Sequence, residues 1–288
     1  RRTSDLLWTY NVPVPPNVYN TLFTNVGVMQ NTGFEATVNI NTVRNDRLTW
    51  NSTILFSTNS NKLVSFSDQA RGYELTVLNT GYIGVDIQTW THQITEGGPI
   101  GNFVAPRFLG IDAEGLSIFK DNNNDGVITD ADREVVGNAF PDFQLSLTNQ
   151  FTYRNWDLSI FLRGVFGHNI LNIHRLYNEN FGYFGAKNIM KSALDYPEYK
   201  GTAQYSSRYV EDGSYIKLDN LSIGYTFRFP NKVIKELRFY GVGQQLLTWT
   251  KYKGVDPEIT LSGLAPGVDD WAYYPRTRTF NIGAHIKF

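Results

Sequence analysis

From Gly33 the chain alternates with period two. Phe34, Ala36, Val38 and Ile40 fall on one face, and Glu35, Thr37, Asn39 and Asn41 on the other. That period marks a strand with one apolar face. After a turn at Arg44–Arg47, Leu48, Trp50, Ile54 and Phe56 form the next apolar face, interrupted by Ser52. The pattern is sharpest later. Phe143, Leu145, Leu147, Phe151 and Tyr153 alternate with Gln144, Ser146, Thr148, Gln150 and Thr152. A tight turn at Arg154–Asn155 leads into Trp156, Leu158, Ile160 and Leu162, with Asp157, Ser159, Phe161 and Arg163 opposite. Leu221, Ile223, Tyr225, Phe227 and Phe229 share a face, but Ile216 and Leu218 at the start of that strand have the other phase. A bulge at Asp219–Asn220 is predicted to absorb the slip. Leu237, Phe239, Leu247 and Trp249 mark a further strand, and Phe280, Ile282, Ala284, Ile286 and Phe288 the last. A weak strand is predicted over 84–94 and another strand over 100–111. The prolines of Val12–Pro16 predict a strand end.

Short connections (44–47, 96–99, 154–155, 230–235) alternate with long ones (59–82, 112–142, 170–214, 250–274). That rhythm belongs to transmembrane β-barrels, which have short turns on one side and long loops on the other. The last strand has nine residues. At about 3.3 Å each and a tilt near 45° it spans roughly 20 Å, close to the apolar band of an outer membrane. Arg163 and Lys287 fall on the polar phase, where a charge escapes the lipid. A soluble β-sandwich also alternates, but it needs a second layer to bury these faces. The expected class is therefore all-β, an antiparallel transmembrane barrel.

Composition agrees. Aromatics make up 15% of the 288 residues and Met is rare, as in β-rich chains. No apolar run approaches the roughly 18 residues of a membrane helix. A net charge of −1, without basic runs, gives no footing for nucleic acid as a partner. With no cysteine, disulfides, thiol catalysis and cysteine-bound zinc are excluded. The chain opens on Arg1-Arg2-Thr3 as if in mid-protein, and is expected to be a piece of something longer.

The densest polar cluster is Phe119–Phe143. Asp121, Asn123 and Asp125 sit two apart, Gly126 follows, and Asp132 closes the set. This is the spacing of an EF-hand-type calcium loop, with side-chain oxygens at positions 1, 3 and 5, the Val127 carbonyl at 7, Thr129 at 9 and an acid at 12. The alternative is an Asx-rich turn that caps its own backbone. Calcium would brace the loop and do no chemistry. His92, His168, His174 and His285 have neither metal-ligand nor triad spacing, so an enzyme is not expected. Tyr177, Phe181, Tyr183 and Phe184 in the long 170–214 segment are candidates for partner or substrate contact, against plain self-packing.

Several ordered stretches resemble one family: Asn31–Glu35, Asn59–Lys62, Gly98–Gly101, Phe119–Phe143, Trp156–Phe161, Val210–Leu218, Thr248–Glu258, and Tyr274–Phe280 with a terminal Phe288. Together they resemble the C-terminal part of SusC/RagA-type TonB-dependent outer-membrane transporters of Bacteroidota. Gly254-Val255 departs from the family's usual Gly-Tyr before Asp256-Pro257-Glu258. The resemblance implies a barrel of about 22 strands around a plug, of which this chain supplies about nine or ten and neither the plug nor the early strands. It also implies a SusD-like surface lipoprotein as lid, energy through TonB by way of the plug, and oligosaccharides or peptides as cargo. The C-terminus would be periplasmic and the long loops extracellular, 112–142 among them. In this family Asp212–Ser214 and Asp256–Glu258 fix loop geometry. The alternative reading is a calcium-stiffened surface β-protein, such as an adhesin or binding module.

Overall fold

The computed structural model describes residues 1–11, 14–15, 18–66, 77–84, 87–230, 232–270 and 274–288. Most of the proline-dense Val12–Pro16 therefore lies outside the described residues. Strands β1 (Arg2–Asn11), β2 (Thr21–Arg44) and β3 (Leu48–Ser65) come first. A run of short strands follows: β4 (Val77–Ile83), β5 (Thr89–Thr95), β6 (Asn102–Pro106), β7 (Phe108–Ile111), β8 (Ser117–Phe119) and β9 (Arg133–Asn138). Then come β10 (Phe143–Tyr153), β11 (Trp156–Phe166), β12 (Asn169–Asn172), helix α1 (Ile173–Asn178) and β13 (Val210–Asp212). The chain closes with β14 (Tyr215–Arg228), β15 (Glu236–Thr250), β16 (Val268–Asp269) and β17 (Thr279–Lys287).

Eight strands form one sheet in the order β1-β2-β3-β10-β11-β14-β15-β17, antiparallel throughout. The connections 45–47, 154–155 and 229–235 lie at one end, and the long ones at the other. Asp219 is the residue skipped on β14. Phe161 pairs with Asn220 but Leu162 with Leu218, and the same break recurs against β15. Gln245 opposite takes φ +55°. The predicted bulge is thus where the phase slip placed it. It keeps Ile216 and Leu218 on the same side as Leu221, Ile223 and Tyr225.

The apolar phase is bare. Ile282 is 93% and Phe280 73% exposed, and Phe34, Val38, Leu145, Ile223 and Phe239 are exposed as well. In water such a surface would aggregate; against lipid it is the stable face. Aromatics collect at both rims. Near the short turns Trp50 stacks on Phe151 at 5.2 Å and Trp156 meets Tyr225 at 4.8 Å; near the long loops Phe143 stacks on Phe56 and Phe166 at 5.9 and 4.9 Å. The ten steps from Phe143 to Tyr153, tilted near 45°, cover roughly 23 Å, matching the ~25 Å band between the aromatic girdles of such barrels. Ser52, the interruption in this face, donates to Asn149 Oδ1 at 2.6 Å, and Trp50 Nε1 donates to the same oxygen at 3.0 Å. The polar atoms satisfy one another, as a lipid-facing surface requires.

On the inward phase Arg238 binds the Asp157 carboxylate with Nε and Nη2, at 2.9 and 2.5 Å. The pair crosses Gly224, where a Cβ would lie 2.7 Å from both partners.

Fully buried apolar side chains lie mainly beyond the sheet, in a cap built from the long connections. Phe103, Ala105 and Ala139 of the first pack with Leu171, Ile173, Leu176, Tyr177, Tyr205 and Tyr209 of the second, and Val268 of the third. Strand β12 pairs antiparallel with β13 and parallel with β16, so the second and third connections are also hydrogen-bonded together.

Here the structure corrects the sequence reading. Strand β5 falls within the 84–94 stretch and the 100–111 strand is split into β6 and β7, but β5 and β6 belong to a separate sheet, β4-β5-β6-β9, and β7 pairs only with β8. The main sheet therefore has eight strands among the described residues, not nine or ten. At seven and five residues β5 and β6 are too short to span, and Thr91, His92, Ile94, Phe103, Val104 and Ala105 are covered on both faces. The turn at 96–99 accordingly sits at the long-loop end, where Leu63 N–H donates to Gly98 O and Gly97 N–H to Leu63 O. Residues 59–65 are not loop but the top of β3, and 112–142 is the second half of one excursion running from 66 to 142.

Candidate functional site

The 121–132 loop is held by its own side chains. Asp121 accepts from the N–H groups of Asn124 (2.7 Å) and Gly126 (2.8 Å), Asn123 from Asp125, and Asp125 from Val127. Asn124 and Gly126 take φ +58° and +84°, the left-handed turns that let the backbone fold over these acceptors. Asp132 is buried. Its oxygens accept from the N–H groups of Asn122 (2.9 Å) and Thr129 (2.8 Å), and it closes a capping box with Thr129 over the 3₁₀ turn Asp130–Asp132. The Thr129 N–H, helped by those of Asn122 and Asn123, holds this carboxyl below the usual carboxylate range. Val127 is exposed. The sequence-predicted residues are thus gathered into one loop, but among the described residues no three acidic or imidazole side chains converge as metal ligands do. What the geometry shows directly is the Asx-turn alternative.

The aromatic quartet divides. Tyr177 is part of the cap core, so packing occupies the ring that the sequence reading offered for contact. Phe181 and Phe184 stack in parallel at 5.4 Å, with Phe184 68% exposed, and the Lys187 ammonium lies 4.1 Å from the Tyr183 ring centroid. The same connection holds a buried ionic cluster. Arg175 donates to Glu179 through Nε (3.0 Å) and Nη2, and to Glu211 through Nη1 (2.5 Å). Burial opposes the Arg175 charge, but Glu179 and Glu211 outweigh it and raise its pKa. Arg208 reaches Glu179 at 3.6 Å and stacks over Tyr196 and Tyr199.

At the mouth residues 251–270 of the last long connection fold back onto the inward face of the sheet. Lys217, 2% exposed, donates to Asp256 (3.0 Å) and Glu258 (2.8 Å). Arg163, its cross-strand partner, donates to Glu258 at 2.5 Å and to the bulged Asp219 at 2.7 Å. Arg276 completes the set on Glu258 at 2.9 Å. Burial alone would raise the Glu258 pKa, but these cations lower it. Asp256–Glu258 is therefore a latch, and not a solvated loop edge. The sequence reading placed Arg163 inward but overlooked Lys217. The available signal was a lysine in inward phase beside Arg163, with two loop acids that needed cations.

Histidines fasten the same connection. His92 Nε2 lies 2.8 Å from Pro266 O and Nδ1 2.7 Å from Thr91 Oγ1. Burial pulls its pKa down to about 4, with the Pro266 carbonyl opposing. His168 is lowered too, by burial against a hydrogen bond with Pro257 O. A histidine held neutral in the fold stabilises fully above about pH 6.5, and loses that contribution as pH falls toward 4. For His92 this is about 3 kcal/mol when complete. The protection factors of residues 89–95 and 260–267, taken relative to intrinsic exchange at each pH, should therefore fall between pH 6.5 and 4.5, and His92→Gln should flatten much of that dependence. An equally steep profile in the variant would count against it.

No protein-family model matches the chain. Among individual proteins, TonB-dependent receptor P3 of Formosa agariphila is 31% identical over the whole chain, which covers 31% of that protein. TonB-dependent receptor SusC of Bacteroides thetaiotaomicron is 24% identical, again over the whole chain and 29% of its own length. The chain thus spans about a third of the relatives it matches. The RagAB peptide importer in its closed-closed state superposes with a TM-score of 0.80 at 20% identity, over all of this chain and 32% of that one; the RagAB peptide transporter gives 0.75 at 22%. The structural likeness shows the fold: part of a larger antiparallel β-barrel. In sequence the chain is thus similar over its whole length to TonB-dependent receptors, SusC among them, and in fold it is a portion of a larger β-barrel of the kind seen in RagAB.

Proposed function

We propose that the protein carrying this chain imports a bulky nutrient across an outer membrane, with this chain forming the C-terminal part of the barrel. The observation that carries the reading is the division of the sheet. One face is bare and apolar between two aromatic rims, and the other is polar and roofed at the mouth by latched connections. The short turns then face the periplasm and the cap faces outside. A SusD-like lipoprotein would sit on the cap, where stacked Phe181 and Phe184 offer an exposed aromatic contact. Energy would come through TonB by way of a plug in the full-length protein. The test is uptake in the parent bacterium of whichever nutrient requires the gene. The reading expects dependence on TonB and on the proton gradient, a lipoprotein that co-purifies with the receptor, and a barrel band that shifts on boiling. Uptake indifferent to an uncoupler would sink it.

Calcium at 121–132 belongs to the same proposal. Six oxygen donors of the right kinds occur at the right spacing, and Gly126 takes the required turn. Asp121, Asn123, Asp125 and Asp132 would hold the ion with the Val127 carbonyl and Thr129, and its charge would tie the loop together outside the cell. Titrating calcium into the detergent-purified receptor should give a saturable heat and raise exchange protection over 119–143. Asp125→Ala should abolish both. A flat titration at millimolar calcium means the loop is an Asx turn only.

A further inference from the structure

The pairing of β2 with β3 runs without a break from Ile40–Ser52 up to Gln30–Lys62, and Arg2 of β1 pairs with Gln30 from the other side. Directly paired residues point to one face. Arg2, Gln30 and Lys62 therefore stand in a row on the outward face, above Phe34 and Phe56, and all three are exposed. From the short turns up to this row, Arg2 and Lys62 are the only charged side chains at outward positions of the eight strands, among the described residues. The wall's other charges, Asp157, Arg163, Lys217 and Arg238 among them, turn inward.

The height of the row fits a headgroup. Phe34 packs on Phe56 of the upper aromatic rim, with centroids 6.4 Å apart. Gln30 lies four residues beyond Phe34, roughly 9 Å higher at about 3.3 Å per residue and a tilt near 45°. Headgroups add roughly 5–8 Å to each side of the hydrocarbon core, and long Arg and Lys stems can carry their charges back into that layer. Between the cations and the rings, the paired Thr32 and Ser60 present hydroxyls. The outward face thus reads, from the top down, as cations, hydroxyls, then rings. Among the described residues neither Arg2 nor Lys62 makes an ion pair or a side-chain hydrogen bond. The acids of neighbouring segments are turned elsewhere: Asp5 accepts from Ser4 Oγ at 3.2 Å and Glu96 from the Phe66 N–H at 2.5 Å. Strands lie about 4.8 Å apart, so Arg2 and Lys62 flank Gln30 roughly 10 Å from each other at Cα. Gln30 Nε2 donates to Thr32 Oγ1 at 3.3 Å and has a second N–H to give. A guanidinium fork, an ammonium and an amide N–H make a donor set for a phosphate. A phosphomonoester carries about −1.5 to −2 at neutral pH, which matches two cations; a phosphodiester carries a single charge. We infer that Arg2, Gln30 and Lys62 form an external site for an outer-leaflet lipid whose sugar headgroup bears a phosphomonoester.

The inference rests on the outward face meeting lipid at an outer membrane, and the two can fail separately. The test uses the full-length receptor, purified in detergent and stripped of lipid, with bound lipid counted by native mass spectrometry. Probes are monophosphorylated lipid A, the same lipid after phosphatase treatment, phosphatidylglycerol and inorganic phosphate. The phosphorylated lipid should bind at least about tenfold more tightly than the phosphatase-treated lipid or phosphatidylglycerol. Arg2→Gln and Lys62→Gln should each weaken it about fivefold, the loss expected for one cation at a membrane surface. Lys62→Arg should keep most of the binding, and Arg44→Gln, at the short-turn end, should change nothing. A shifted band on boiling confirms that each variant has folded. The site is overturned if phosphatase treatment makes no difference, if both glutamine variants hold the lipid like the parent, or if phosphatidylglycerol binds as well. It is also overturned if millimolar inorganic phosphate displaces the lipid, which would mark a site for free anions. A band that still shifts on boiling, with uptake still dependent on TonB, would then leave the barrel and importer readings standing.

Discussion

Lys217→Met should free residues 251–270 from the barrel wall while the eight-stranded sheet stays intact. Lys217 is buried, and its ammonium serves Asp256 at 3.0 Å and Glu258 at 2.8 Å. Taking one partner from a buried ion pair costs about 3–5 kcal/mol, because the remaining charge keeps its desolvation penalty. Two carboxylates lose a partner here, but Arg163 and Arg276 remain on Glu258, so the expected cost is toward the lower end, about 3 kcal/mol. Exchange of amides 252–267 should become much faster, whereas 279–287, held by the β15–β17 ladder, should stay protected. Unchanged protection over 252–267 would show that Tyr252, Ile170 and Ile259 hold the connection without the latch.

Arg175→Met should have the largest effect on the cap. Glu179 and Glu211 would be left buried without their guanidinium, with only Arg208 near Glu179 at 3.6 Å. The expected loss is about 3–5 kcal/mol. Because Leu176 and Tyr177 on the same short helix belong to the cap core, opening should spread through it. Limited proteolysis should cut 173–212 early and leave the barrel band intact. Arg175→Met with Glu179→Leu should recover part of the loss, since an apolar pair of similar volume can replace a buried ion pair. A single variant as resistant as the parent would mean that the aromatic core alone holds the cap.

The barrel wall was legible in the sequence because each of its strands has one apolar and one polar side. Phe143–Leu162 marks a hairpin turning at Arg154–Asn155, and the phase slip between Leu218 and Leu221 marks the bulge. The cap was not legible, for a physical reason. Thr91–Ile94 and Phe103–Ala105 are covered on both faces, so they carry no period that tells wall from cap. The ionic clusters were hidden by distance: Lys217 meets Glu258 across 41 residues, and Arg163 meets it across 95. The calcium-type loop shows the reverse. Its spacing was plain, yet the same residues build an Asx turn, and spacing cannot choose between the two. Of the aromatic quartet, sequence could not tell the buried Tyr177 from the exposed Phe184.

If the two faces of this sheet are lipid and lumen, labels placed on alternate residues will separate them. This chain contains no cysteine, so single cysteines carrying a nitroxide can be placed along β14 in the full-length receptor in liposomes, once any cysteine in the rest of the protein has been replaced by serine. Oxygen partitions into lipid and a nickel chelate stays in water. Oxygen-accessible labels are expected at 216 and 218, then at 221, 223, 225 and 227, with the parity reversing at Asp219, and nickel-accessible or shielded labels between them. An unbroken period through residue 219, or nickel access at 223 and 225 equal to that at 222 and 226, would contradict that assignment of the faces.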